Sequence, residues 1–278
     1  MESDRLNGPH TSAILLEVFG HQLQFSQDPN SKHLGTTVWD ASMVFVKFLE
    51  KNCRKGRFCP PKLRGKRVIE LGAGCGVAGF GMALLGCDVI STDQVEVLPL
   101  LMRNVDRNTS RIVQSHLGSG SFGSIQAAEL DWGNQDHIKA VGPPFDYIIG
   151  TDVVYAEHLL EPLLETIFAL SGPKTTVLLG YEIRNTVIHE QMLDMWKSNF
   201  DVKTVPRAKM DSKYQHESIH VYIMESKGRG TGVVPEKHEN ENDGERAEEE
   251  VVTEFDSEWE ARRQGSMAAR LLKDIKIT

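Results

Sequence analysis

Residues 68–86 read VIELGAGCGVAGFGMALLG. The stretch opens on a β-branched apolar run, places an acid at Glu70, sets glycine at three alternate positions and closes on small apolar residues. The pattern predicts a strand over 68–71 and a helix over 77–85, with Gly72, Gly74 and Gly76 in the turn between them. Open α/β sheets bind ligands at the carboxyl ends of their strands, where the strand order switches. Glycine in that turn removes Cβ atoms, so a ligand can lie against the backbone. This turn decides both the fold class and the place to look for a site.

The flanking sequence repeats the alternation. Further strands are predicted at 88–92, 127–130, 145–150 and 175–180, and helices at 95–108, 158–170 and 187–196. The 95–108 helix is expected to bury Leu98, Leu101, Met102 and Val105. Residues 200–205 and 219–224 read as a closing antiparallel pair. Ahead of them, 13–25 reads as a β-hairpin around Phe19-Gly20-His21, and a helix follows with Trp39, Met43, Val46 and Leu49 or Phe48 at helical spacing and Asp40 as its candidate N-cap. Residues 53–66 are a basic loop with two prolines. The expected fold is α/β: a Rossmann-like, seven-stranded, mostly parallel sheet with helices on both faces, an N-terminal hairpin and an antiparallel C-terminal edge. One domain is expected over 13–226, after a flexible 1–12 and before an acidic, largely disordered 227–278, with 118–124 as a flexible loop.

Composition narrows the class. The 278 residues are 40% hydrophobic with a net charge of −8. That charge sits in the tail: between Glu236 and Glu260 there are 12 acidic and 2 basic residues. The remainder is near neutral, so nucleic acid is not an expected partner. No apolar stretch approaches the ~20 residues needed to span a bilayer. The N-terminus does not resemble a signal peptide, and the expected location is the cytoplasm, with the nucleus as the alternative. Cys53, Cys59, Cys75 and Cys87 form no C-x-x-C pair, and the ten histidines form no cluster in sequence, so no metal site is expected. A monomer is expected.

The glycines discriminate among ligands. A dinucleotide fingerprint needs G-x-G-x-x-G, whereas position 77 is valine, and a P-loop lysine is absent. Glu70 is a poor neighbour for a phosphate and a good one for a cation. S-adenosylmethionine carries an ammonium and a sulfonium and no phosphate. Asp93 ends the second strand about 21 residues after Gly72, where an acid bonds ribose hydroxyls.

Trp39-Asp40-Ala41, Glu70-Leu71-Gly72-Ala73-Gly74, Thr92-Asp93, Leu130-Asp131-Trp132-Gly133 and Asp152-Val153-Val154-Tyr155 occur in order along the chain. Over about 13–225 this set resembles the seven-β-strand, S-adenosylmethionine-dependent protein-lysine methyltransferases of the methyltransferase-like 21 group. The resemblance implies a partner protein carrying the acceptor lysine, and it implies roles by position. Trp39 lines the cofactor site; Gly72, Ala73 and Gly74 hold the methionine moiety; Asp93 binds the ribose; Trp132 lies beside the adenine. Thr151 stands where relatives often have alanine and touches the cofactor through its backbone, while Asp152 and Tyr155 face the acceptor. The tail has no counterpart in the resemblance.

A lysine attacks only as the neutral amine, against an ordinary pKa of ~10.4. Asp152 is therefore read as a positioner of the nitrogen rather than a strong base, or as the N-cap of the next helix. Arg184, in the Tyr181-Glu182-Ile183-Arg184 stretch after the fifth strand, either shapes the acceptor pocket or makes a structural ion pair. Three further readings stay open: a methyltransferase for small molecules or another side chain, a non-catalytic scaffold, and a nicotinamide dehydrogenase.

Overall fold

The computed structural model describes residues 11–28, 30–115 and 122–227. The predicted 118–124 loop lies mostly outside the described residues, as do nearly all of the N-terminal segment and of the acidic tail. A hairpin of β1 (Ala13–Val18) and β2 (His21–Ser26) leads to α1 (Asp40–Asn52) and the short α2 (Pro60–Leu63). Then follow β3 (Arg67–Leu71), α3 (Val77–Leu84), β4 (Asp88–Asp93), α4 (Leu98–Ser115), β5 (Ser124–Glu129), α5 (Gln135–Ala140) and β6 (Phe145–Thr151). The domain closes with α6 (Leu160–Leu170), β7 (Ser171–Glu182), α7 (Thr186–Asn199), β8 (Phe200–Thr204) and β9 (Ile219–Ser226). No described helix is long and apolar enough to cross a membrane.

The seven-stranded sheet has the order β5-β4-β3-β6-β7-β9-β8. Its first five strands pair in parallel, and β9 runs antiparallel to both β7 and β8. The chain leaves β3 for β4 on one side and returns to β6 on the other, which makes β3 the switch point. Alternation along β3 feeds two cores. Val68 packs with α1, α3, α4 and the hairpin, whereas Ile69 and Leu71 pack with α6 and α7.

The hairpin turns at Phe19 and Gly20, both at positive φ (51° and 77°), as a two-residue turn between twisted strands requires. Its outer edge is satisfied by side chains. Asn108, one helical turn beyond Asn104 on α4, accepts from Gln24 N–H at 2.9 Å and donates to Gln24 O at 3.1 Å. Asn104 treats Ser26 the same way, at 2.8 and 3.0 Å, and also donates to Cys75 O at 3.1 Å. Two amides thus act as a short false strand for β2 and tie it to the glycine turn.

This strap corrects the predicted face of α4. The buried stripe is Leu101, Asn104, Val105, Asn108 and Ile112, with Leu100 beside it, whereas Met102 is 52% exposed. The helix also starts at Leu98 rather than 95, because 94–97 form a turn closed by Val97 N–H to Gln94 O at 3.0 Å. In α1 the cap position is Trp39 and Asp40 is already helical, where its charge still suits the helix dipole.

Gly79 on α3 is held against β3 and β4. A Cβ there would lie 2.3 Å from Ser91 Oγ and 2.5 Å from Glu70 Oε2. Alanine normally improves an exposed helix by about 1 kcal/mol over glycine. Here Gly79→Ala is expected to cost about 2 kcal/mol or more through overpacking, lowering the unfolding temperature by about 4 °C or more in a thermal melt.

Candidate active site

At the carboxyl ends of the central strands lies a cavity of about 490 Å³, within the roughly 300–1,000 Å³ of small-molecule sites. Nine of the ten residues singled out in the sequence line it. Trp39 comes from the start of α1, Gly72, Ala73 and Gly74 from the turn after β3, and Asp93 from the end of β4. Trp132 comes from the loop after β5, Thr151 from the last position of β6, and Asp152 and Tyr155 from the segment after it.

Gly72, Gly74 and Gly76 all adopt positive φ, at 59°, 56° and 89°. Their bareness serves the protein's own walls as much as any ligand. A Cβ on Gly72 would lie 2.9 Å from Val153 Cγ1 and 3.3 Å from the Trp132 ring, and one on Gly74 would lie 2.9 Å from Gly35 O. The turn is pinned by Asp93, whose Oδ2 accepts Gly74 N–H at 2.7 Å and whose Oδ1 accepts Gln94 N–H at 2.8 Å. Burial raises the Asp93 pKa above the ordinary carboxylate value, partly countered by those two N–H groups. Each oxygen keeps a lone pair for a further donor. A carboxylate open to two hydroxyls, a bare backbone turn and an indole ring on one cavity wall fit an S-adenosyl group.

The opposite chemistry gathers around Asp152. This residue sits at φ 56°, a left-handed conformation that non-glycine residues hold only where the surroundings impose it. Its N–H donates to Gly180 O at 2.9 Å, and its Oδ1 accepts Glu182 N–H at 3.0 Å. Arg184 forks onto both carboxylate oxygens at 3.1 and 3.2 Å. No helix start uses this carboxylate, so the N-cap reading falls, and Arg184 proves to be both cavity wall and ion-pair partner. Its guanidinium lies 5.0 Å from the Trp39 ring centroid, while Trp39 Nε1 donates to Leu34 O at 3.0 Å. Tyr155 is half-buried, and burial first, then the charge of Asp93, raise its phenol above the usual value of 10. It therefore stays a neutral hydroxyl at physiological pH.

Glu70 is the correction. It does not line the cavity. Strand alternation turns its side chain into the layer between β3, β4 and α3, where it is 1% exposed and its Oε2 accepts Ser91 Oγ–H at 2.5 Å. It ties β3 to β4 and to the start of α3 beneath the cavity. Burial pushes its pKa from 4.5 up to about 7, against the pull of the Ser91 hydroxyl. Between those values the folded state binds more protons than the unfolded chain, so this carboxyl makes stability fall as pH rises. Glu70→Gln is expected to flatten the decline of unfolding temperature between about pH 4.5 and 7, an effect on the order of 3 kcal/mol, measurable by thermal unfolding across that range.

The sequence reading missed the front wall. Lys32, His33, Leu34, Gly35, Thr37 and Val38, between the hairpin and α1, line the cavity with Gln94 and Val97. Nothing periodic marks them; the asparagine strap fixes the hairpin that precedes them, and Asp28 N–H to Thr36 O at 2.8 Å and Trp39 Nε1 to Leu34 O at 3.0 Å hold the segment itself. Folding also gathers Glu129, Asp131 and His137, whose ligand atoms lie within 4.8 Å of one another. His137 Nδ1 is already the acceptor for Asp131 N–H at 3.1 Å.

The chain's similarities agree with this geometry. Residues 18–199 match a family described as lysine methyltransferase. Protein N-lysine methyltransferase METTL21A of Danio rerio is 35% identical over 213 residues, covering 77% of this chain and 87% of that protein. Protein-lysine methyltransferase METTL21E of Mus musculus is 31% identical, covering 76% and 78%. Among solved structures, a T. thermophilus 16S rRNA N2 G1207 methyltransferase in complex with AdoMet and guanosine superposes with a TM-score of 0.52 at 17% identity. That match covers 77% of this chain and half of the longer one. A SAM-dependent methyltransferase from Agrobacterium tumefaciens gives 0.50 at 18%, covering 78% and 71%. At such identities these two structures share the fold alone. A strand–glycine turn–helix at the switch point, Asp93 at the end of β4 and the matched span of 182 residues together place the chain in the lysine methyltransferase family, whose members are S-adenosylmethionine-dependent enzymes.

Proposed function

We propose that the protein is a protein-lysine N-methyltransferase acting on a lysine of a partner protein. The observation that carries this reading is the single cavity holding Asp93 and Trp132 together with Asp152 and Tyr155. The names of the relatives at 31–35% identity support it. Two buried free thiols, Cys75 and Cys87, suit the cytoplasm or nucleus, which are reducing compartments.

S-adenosylmethionine, when bound, supplies an electrophilic methyl group. Asp93, Trp132 and the 72–74 backbone are the residues that would hold it, and the 32–38 segment would shield it from water. The remaining task is to present a neutral amine in line, and alignment of that kind contributes several kcal/mol. An ammonium entering the cavity loses part of its hydration, which lowers its pKa and releases its proton to water. Tyr155, a neutral phenol, and Asp152 then offer the nitrogen hydrogen-bond acceptors without removing a proton themselves.

The test is transfer of labelled methyl from S-adenosylmethionine to a cell extract, read by mass spectrometry. Label on protein lysine is expected; label only on metabolites or on histidine sinks the reading. Asp152→Ala is expected to lower transfer at least about thirtyfold while S-adenosylmethionine affinity, measured by calorimetry, stays within about threefold, as for loss of a group acting on the acceptor. Asp93→Ala is expected to weaken cofactor binding by about tenfold or more, the scale of one lost charge-assisted hydrogen bond.

A further inference from the structure

Arg184 is placed by two neighbours in sequence: β7 ends two residues before it, and Asn185 after it caps α7 by accepting from Val187 and Ile188 N–H. From this position it meets three groups at once. It forks onto Asp152, donates to Glu182 Oε2 at 2.5 Å and covers the Trp39 ring. The Asp152 side chain is 2% exposed, so its charge is little screened by water.

A carboxylate beside an acceptor lysine creates a difficulty. An opposite charge within about 4–6 Å favours the ammonium, and an ammonium has no lone pair with which to attack. Asp152, which lines the cavity, would hold the lysine in that unreactive form without a counter-charge. With Arg184 present, the two carboxylates share one guanidinium. Asp152 Oδ1 then accepts two N–H groups and Oδ2 one, which leaves Oδ2 one direction for a further donor.

We propose that Arg184 is a positioning residue for lysine transfer: paired with Asp152, it lets that carboxylate orient the acceptor nitrogen by a hydrogen bond without locking it as an ammonium. The assignment rests on the protein-lysine reading above. The compensating charge is what this role requires: a lysine at 184 keeps it, though without the planar pair of donors for the two oxygens or a flat face for Trp39.

The test compares two cofactor analogues by calorimetry at pH 8, on wild type and Arg184→Met. S-adenosylhomocysteine is uncharged at sulfur, whereas sinefungin carries an amine where the methyl group would be. In Arg184→Met the affinity ratio is expected to move toward sinefungin by about tenfold or more, as an uncompensated carboxylate captures the ammonium. In Arg184→Lys, which keeps the charge, the expected change is under about threefold. An unchanged ratio in Arg184→Met, or equal loss of both ligands, overturns the proposal, because a merely structural role weakens both alike. If a thermal melt shows Arg184→Met unfolded, Arg184→Gln serves the same comparison. In the extract assay, Arg184→Met is expected to lower kcat for lysine label at least about tenfold with the cofactor KM within about threefold. Wild type failing to label lysine would defeat the functional reading, whereas the affinity ratio decides the role of Arg184 separately.

Discussion

The 2.7 Å hydrogen bond from Gly74 N–H to the buried Asp93 carboxylate is the contact on which the rest of the site depends. It closes the end of β4 against the turn after β3, reinforced by Ala73 N–H to Thr92 O at 2.9 Å and Thr92 Oγ–H to Glu70 O at 2.6 Å. A carboxylate loses hydration when buried, so it persists in such a place only with charge-assisted donors around it. Here two backbone N–H groups supply them. The turn is held open as a rim, and Gly35, Val153 and Trp132 close to within a methyl group of it.

Around that rim the molecule separates two kinds of work. The side near Asp93 offers bare backbone, acceptors for hydroxyls and an indole ring, which suit the ribose and adenine of an S-adenosyl group. The side near Asp152 is an ion-pair cluster under an aromatic lid, which suits control of a single nitrogen. Neither side contains a group poised to act as a strong base. A site that relies on alignment and on shielding from water needs rigidity more than reactive side chains, and the left-handed Asp152 and the forked Arg184 provide it.

The hairpin explains how the seven-stranded sheet acquires a front wall. Its outer strand would present unpaired backbone groups, which Asn104 and Asn108 satisfy from a helix on the far side of the glycine turn. The same Asn104 amide donates to Cys75 O, so the wall, the helix and the turn are tied by one side chain. That is why two asparagines sit in the buried stripe of α4, and why reading the stripe for apolar residues selected Met102.

Much of the fold was legible in residues 68–86 and their repeats. Strand and helix periods are local properties, set by which neighbours share a face, and glycines at alternate positions announce a turn that side chains would block. Site residues next to those punctuation marks, such as Asp93 and Asp152, were legible for the same reason. Glu70 was misread because its position in sequence borders the turn, while strand alternation points it beneath. The pairing of Arg184 with Asp152, the asparagine strap and the 32–38 wall belong to the tertiary structure alone. Each joins residues at least 29 positions apart, or depends on where a hairpin docks, and no period in the chain encodes which distant donor will satisfy a buried acceptor.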